Sequence, residues 1–178
     1  MEARSLQEYF EGGLTSESFA TLLTEEQKKL HSLHDRRAEI DDEAVAAVRS
    51  AGDLRVLVIT EPWCGDSLAI FPVVSALFGR AGSEVRVVRR DEHLELIDRY
   101  LTRGGRAIPI VLVLDEAYGV KFRWGPRPSP AQQIVDDHRE DVKAGRTEKT
   151  EVHKKVRSFY GRDKGKTIVD ELVAALRA

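Results

Sequence analysis

The sequence predicts an α/β fold: a mixed sheet in the order β-α-β-α-β-β-α, flanked by helices and continued at both ends by helical extensions. Two observations carry this expectation. Short apolar runs of strand character at Leu54 to Ile59, Val85 to Arg89, Ile108 to Leu114 and Val120 to Trp124 are separated by helical periodicity after the first two and by a turn after the third. Before Gly52 and beyond Gly145 only helical periodicity is found, and neither region carries strand alternation. With 178 residues the chain fits one domain plus extensions. The expected division is a helical N-terminal extension over 1–52, a core over 53–144 and a helical C-terminal extension over 145–178 packed on that core.

Residues 1–50 read as helical, beginning with Leu6, Tyr9 and Phe10. Thr15 is placed to cap a short helix that carries Phe19, Leu22 and Leu23. Thr24-Glu25-Glu26-Gln27 has the capping-box pattern and opens a helix with Leu30, Leu33 and His34 on one side. Asp41 or Asp42 caps the next, where Ala44, Val45 and Val48 recur at helical spacing until Gly52. Leu54 to Ile59 is apolar on both faces, as a buried strand is, and leads into a helix over Ser67 to Arg80. Val85 to Arg89 and a helix over Leu94 to Leu101 repeat the unit, which implies a right-handed parallel crossover.

The turn Asp115 to Gly119 folds the third and fourth runs into an antiparallel hairpin at the sheet edge. Ser129, before Pro130 at a first helical position, starts a helix through Ile134, Val135 and Val142. The polar stretch Lys143 to Glu151 reads as a connector. Two helices follow, one with Val152, Val156 and Phe159 on a side and one with Ile168, Leu172, Val173 and Leu176, separated by Asp163-Lys164-Gly165-Lys166.

Composition narrows the function classes. Charged residues make up 33% and the formal net charge is only -2, so no excess of cations points to nucleic acid. No apolar stretch approaches the ~20 residues that span a bilayer, and no signal-peptide pattern opens the chain, so a cytoplasmic protein is expected. The chain holds 1 cysteine, which limits redox chemistry to bonds with another molecule.

That cysteine is the candidate nucleophile. Cys64 stands where the first strand gives way to a helix, facing unpaired backbone N–H groups and the positive end of the helix dipole, both of which favour the thiolate. Ser67, three residues on, places a hydroxyl one turn along the same face, able to donate to the sulfur but not to resolve a disulfide. Asp66 and Glu61 flank the sulfur and act in the opposite sense, unless Asp66 caps the helix. His31 and His34 share a helix face with no third ligand in reach, so no metal is expected.

Trp63-Cys64-Gly65 at the end of the first strand, Pro72 eight residues after the cysteine and Ala107-Ile108-Pro109 opening the third strand together resemble the thioredoxin family. The further stretches Arg90-Asp91-Glu92, Gly104-Gly105-Arg106, Trp124 to Pro128 and Asp163 to Gly165 are similar to a bacterial branch of thioredoxin-like proteins whose role is poorly defined. The chain departs from the family at two positions. Ser67 stands where a second cysteine would, giving Cys-Gly-Asp-Ser, and Val58 stands where thioredoxins commonly bury an acid.

The resemblance implies a cis Pro109 facing Cys64 across a groove, with Ile108 offering its backbone to an extended ligand. It brings Trp63, Gly65 and Asp66 to the groove and Arg127, in the stiff Gly125-Pro126-Arg127-Pro128 loop, to its border. Arg127 there has either an anionic ligand or a structural carboxylate such as Asp91 as its partner. Arg106 invites the same two readings. The expected function is a monothiol oxidoreductase in which Cys64 forms a transient mixed disulfide with a protein or low-molecular-weight thiol; the alternative is a non-catalytic binding module for a peptide or protein partner. No cofactor is expected: in the Cys-Gly-x-Ser monothiol relatives that hold an iron–sulfur cluster, an aromatic stands at the position of Asp66. The apolar faces of the helical extensions must cover either the domain or a second subunit, which leaves a homodimer open.

Overall fold

In a computed structural model, which describes residues 4–178, the apolar runs form a four-stranded sheet in the spatial order β2-β1-β3-β4. Residues 1–3 of the expected N-terminal extension lie outside the described residues. β1 (Arg55–Thr60) pairs in parallel with β2 (Glu84–Arg89) and antiparallel with β3 (Ile110–Leu114), which pairs antiparallel with the edge strand β4 (Val120–Trp124). The sheet is therefore mixed, and its central strands are buried on both faces, which is why they lack polar alternation.

Alternate side chains go to opposite layers. Val56, Val58, Val111 and Val113 join α5 (Gly65–Arg80), Phe19, Leu23, Val45, Val48, Tyr160 and Leu172 in one cluster. Leu57, Ile59, Ile110 and Leu112 join Tyr9, Phe10, Leu96, Ile97, Cys64 and Ile108 in the other. α5 contributes a nearly continuous buried run from Ser67 to Val74. Pro72 within it removes the donor that would have bonded the Leu68 carbonyl.

Four N-terminal helices precede the sheet: α1 (Leu6–Glu11), α2 (Ser16–Ala20), α3 (Glu25–Arg37) and α4 (Asp42–Ser50). Thr15, Thr24 with Gln27, and Asp41 cap α2, α3 and α4 through the side-chain bonds their positions predict, and Ser5 with Glu8 adds a second capping box. Between α1 and α2, Leu14 exchanges two backbone hydrogen bonds of 2.8 Å with Val87 on the outer edge of β2.

After β2 the chain forms a single 3-10 turn over Arg90–Glu92 and then α6 (Leu94–Ile97), shorter than the expected helix to Leu101. The missing turn is taken by a tight loop in which Thr102 and Gly105 bond each other, with Arg103 and Gly104 at positive φ, and Arg123 of β4 donates to the Tyr100 carbonyl. β3 begins at Ile110 rather than Ile108.

Ser129 does not cap α7 (Ser129–Asp137). Its N–H is bonded at 2.7 Å by the Glu171 carboxylate, which also accepts from Trp124 Nε1 at 2.8 Å, so a distant acid does the work expected of a local hydroxyl. The helix breaks at His138 before α8 (Arg139–Lys143). α9 (Lys149–Asp163) and α10 (Lys166–Arg177) are joined by Lys164 and Gly165, both at positive φ. The apolar faces of α4, α9 and α10 are buried within the chain itself.

Candidate functional site

β1 ends at Thr60 and a short turn, closed by Cys64 N–H donating to the Glu61 carbonyl at 3.1 Å, delivers Cys64 to the N-cap of α5. The Glu61 side chain faces away from the sulfur. Fully buried, it accepts from Arg89 Nε and Nη2, each at 3.2 Å, and from the Asp91 N–H at 2.8 Å. It ties the end of β1 to the turn after β2 and so differs from the flanking charge expected of it.

The Cys64 thiol is 7% exposed and donates to the Ile108 carbonyl at 3.6 Å. The Ile108–Pro109 peptide bond is cis. Burial is the largest influence on the thiol and pushes its pKa up; the Asp66 carboxylate adds to this, while the Ser67 hydroxyl and the N–H groups of Asp66 and Ser67 oppose it. The net direction is upward, against the expectation from the helix start alone. Ser67 Oγ is hydrogen-bonded to Thr60 Oγ1 in the buried layer beneath the sulfur; when Thr60 is the donor, the Ser67 proton is free to face Sγ.

Asp66 makes no cap bond. Its two oxygens are held by Arg127 Nη2 and Tyr160 Oη, each at 2.8 Å, so the counter-ion of Arg127 is Asp66 and not Asp91. Both charges are mostly buried, and Arg127 Nε has no hydrogen-bond partner. Asp91 instead receives a fork of 2.7 and 2.8 Å from Arg90 and accepts from Trp63 Nε1 at 3.3 Å. Arg90 lies 4.9 Å over the Trp63 ring, which is 55% exposed and stands at the mouth of the site. Arg106 is committed to Asp98 through bonds of 2.6 and 2.9 Å.

These groups border a cavity of about 600 Å³. Trp63, Cys64, Gly65, Asp66, Ile108 and Arg127, all expected at the site, line it together. Ser67 lies below it, and Pro109 stands behind Ile108 with its carbonyl against Gly125, whose φ of +108 and lack of Cβ permit that approach. The opposite wall belongs to α9: Lys149, His153, Val156, Arg157 and Tyr160.

The sequence reading placed α9 only as a packed extension and missed this wall. The spacing 149, 153, 157 marks one helix face, but nothing local says which surface that face meets. A second cavity of about 600 Å³, between α4 and α10, is lined by residues such as Glu39, Asp41, Lys166 and Arg177 and by none of the residues expected at the site. His31 and His34 pack beside the rings of Phe71 and Tyr160, and burial lowers both pKa values. Among the described residues no group of three His, Cys, Asp or Glu side chains is arranged to hold a metal ion, and no helix is long and apolar enough to cross a membrane.

Comparison with known proteins agrees with this geometry. A crystal structure of a protein of unknown function from Pseudomonas aeruginosa is similar with a TM-score of 0.75 at 17% identity, covering 98% of this chain and 98% of that chain. An HIV epitope-scaffold is similar with a TM-score of 0.73 at 17% identity, again covering 98% of each chain. At such identity these likenesses speak to the fold. No curated protein matches the chain. The family model described as Thioredoxin matches residues 13–143, which span the sheet, Cys64, the Ile108–Pro109 segment and Arg127, and the chain therefore belongs to the thioredoxin family.

Proposed function

We propose that the protein is a monothiol thiol–disulfide oxidoreductase acting through Cys64. One observation carries this reading: the only sulfur able to exchange is placed at the start of α5, in the wall of a cavity that Ile108 also lines, with the Ile108 carbonyl beside it. In the first step the Cys64 thiolate attacks a disulfide R–S–S–R′; a Cys64–S–S–R bond forms, the old S–S bond breaks, and the leaving R′ thiolate takes up the proton that Cys64 lost. No second cysteine is present to resolve the adduct. An external thiol must attack it, regenerating Cys64 and releasing a new disulfide. A reducing compartment suits such a cycle, because it keeps Cys64 as the thiol and supplies the second sulfur.

The test is disulfide reduction in the presence of a small thiol: the wild type is expected to turn over with transient mixed disulfide visible by mass spectrometry, and Cys64→Ser to lose both. Undiminished turnover by Cys64→Ser would refute the reading. A second reading, a binding module without turnover, is favoured by a specific observation, the burial that raises the Cys64 pKa. Capture of no mixed disulfide from any thiol, with the cavity still binding ligand, would select it.

A further inference from the structure

The cavity is unevenly charged. Arg90, Arg127, Lys149 and Arg157 line it, against the single carboxylate of Asp66. Asp66 is already matched by Arg127 and Tyr160, and Arg90 by Asp91. Lys149 and Arg157 have no ion-pair partner among the described residues, and His153 stands between them on the same face. Elsewhere on α9 Lys154 pairs with Glu151 at 2.7 Å and Lys155 shares a hydrogen bond of 2.7 Å with His138 Nε2. Arg162 also has no ion-pair partner among the described residues but lies off the cavity, so Lys149 and Arg157 are the unmatched cations of α9 on the face that looks onto the sulfur. That face is held in place by Val152, Val156 and Tyr160, which are buried beneath it. Eight residues of helix separate the backbones of Lys149 and Arg157 by about 12 Å, a spacing that suits two negative groups on separate arms.

We infer that the ligand of this site is a small thiol, or its disulfide, carrying at least two carboxylates that α9 grips while the sulfur reaches Cys64, an inference that rests on the exchange reading above. A cavity of about 600 Å³ has the size of a small-molecule site rather than of a protein-docking groove. The exchange adds no new electron balance: one S–S bond forms at Cys64 as one breaks in the ligand. α9 acts through position and field, raising the local concentration of the anionic disulfide.

The experiment compares the rate at which wild-type Cys64 forms a mixed disulfide with glutathione disulfide, neutral bis(2-hydroxyethyl) disulfide and cationic cystamine at low salt. The expected order is anionic, neutral, cationic, with about tenfold or more between the ends. The spread should collapse in 0.5 M salt and invert in Lys149→Glu/Arg157→Glu, both exposed positions whose replacement is checked by an unchanged melting temperature. In parallel, S-methylglutathione, which cannot exchange, should bind Cys64→Ser saturably and lose that binding in the triple variant. Equal rates with all three disulfides, no binding of S-methylglutathione, or tighter binding of an acidic peptide would each overturn the inference. Absence of any mixed disulfide alongside retained S-methylglutathione binding would instead overturn the exchange reading.

Discussion

Cys64 is held between opposing influences, and their balance can be measured. Since burial raises its pKa, alkylation by iodoacetamide should reach half its maximal rate above the ~8.5 of an ordinary thiol and still be rising at pH 9. The sign for stability follows: between the unfolded and the folded pKa the unfolded chain has lost a proton that the folded chain keeps, so stability falls as pH rises through that window. Urea titrations of the wild type should show this alkaline loss, and Cys64→Ala should reduce it. Asp66 contributes to the upward shift, so Asp66→Asn should bring alkylation to lower pH while leaving Arg127 unmatched. With Asp66 and Arg127 mostly but not wholly buried, that loss should destabilise the fold by about 2 kcal/mol, read as a lower urea midpoint. The residues carrying this chemistry were legible in the sequence because Trp63, Cys64, Gly65, Asp66 and Ser67 are contiguous. The partner of Arg127 was not: the sequence suggested Asp91 and left Asp66 the part of a flanking charge or cap, because nothing local says which acid the Arg127 loop meets.

At the scale of elements, legibility followed the range of the interaction that sets each boundary. The caps of α2, α3 and α4 are made within three residues, so Thr15, Thr24 and Asp41 announce them. The start of α7 is set by Glu171, 42 residues on, and Ser129 is misleading there. The end of α6 is set by Arg123 and the Thr102–Gly105 loop, which no periodicity in Leu94 to Leu101 discloses. The α9 wall was hidden for the same reason. Two glycines are testable points between elements. A Cβ at Gly165 would stand 2.6 Å from Val73 Cγ2 at a φ of +77, so Gly165→Ala should destabilise by about 2 kcal/mol without altering Cys64 alkylation. Gly125→Ala, whose Cβ would strike the Pro109 carbonyl at a φ of +108, should destabilise and also disturb Cys64, because Ile108 bears on the sulfur.

At the scale of the molecule, the two layers on either side of the sheet draw on every part of the chain. Leu172, fully buried on α10, packs in the same cluster as Val56, Phe71 and Phe19, although the sequence reading assigned these residues to three separate segments. Leu172→Ala should therefore lower stability by about 3 kcal/mol and shift one cooperative transition rather than melting a terminal helix alone; calorimetry distinguishes the outcomes. The Leu14–Val87 bridge has a consequence of its own. β2 is an outermost strand, and an open strand edge is a template on which a second chain can add. Leu14 occupies both outward backbone groups of Val87, midway along the six-residue strand, so an incoming strand finds no uninterrupted row to pair with. A protein nicked within its first twenty residues would lose that guard, and the expected sign is concentration-dependent aggregation seeded at β2, not a change in Cys64 alkylation.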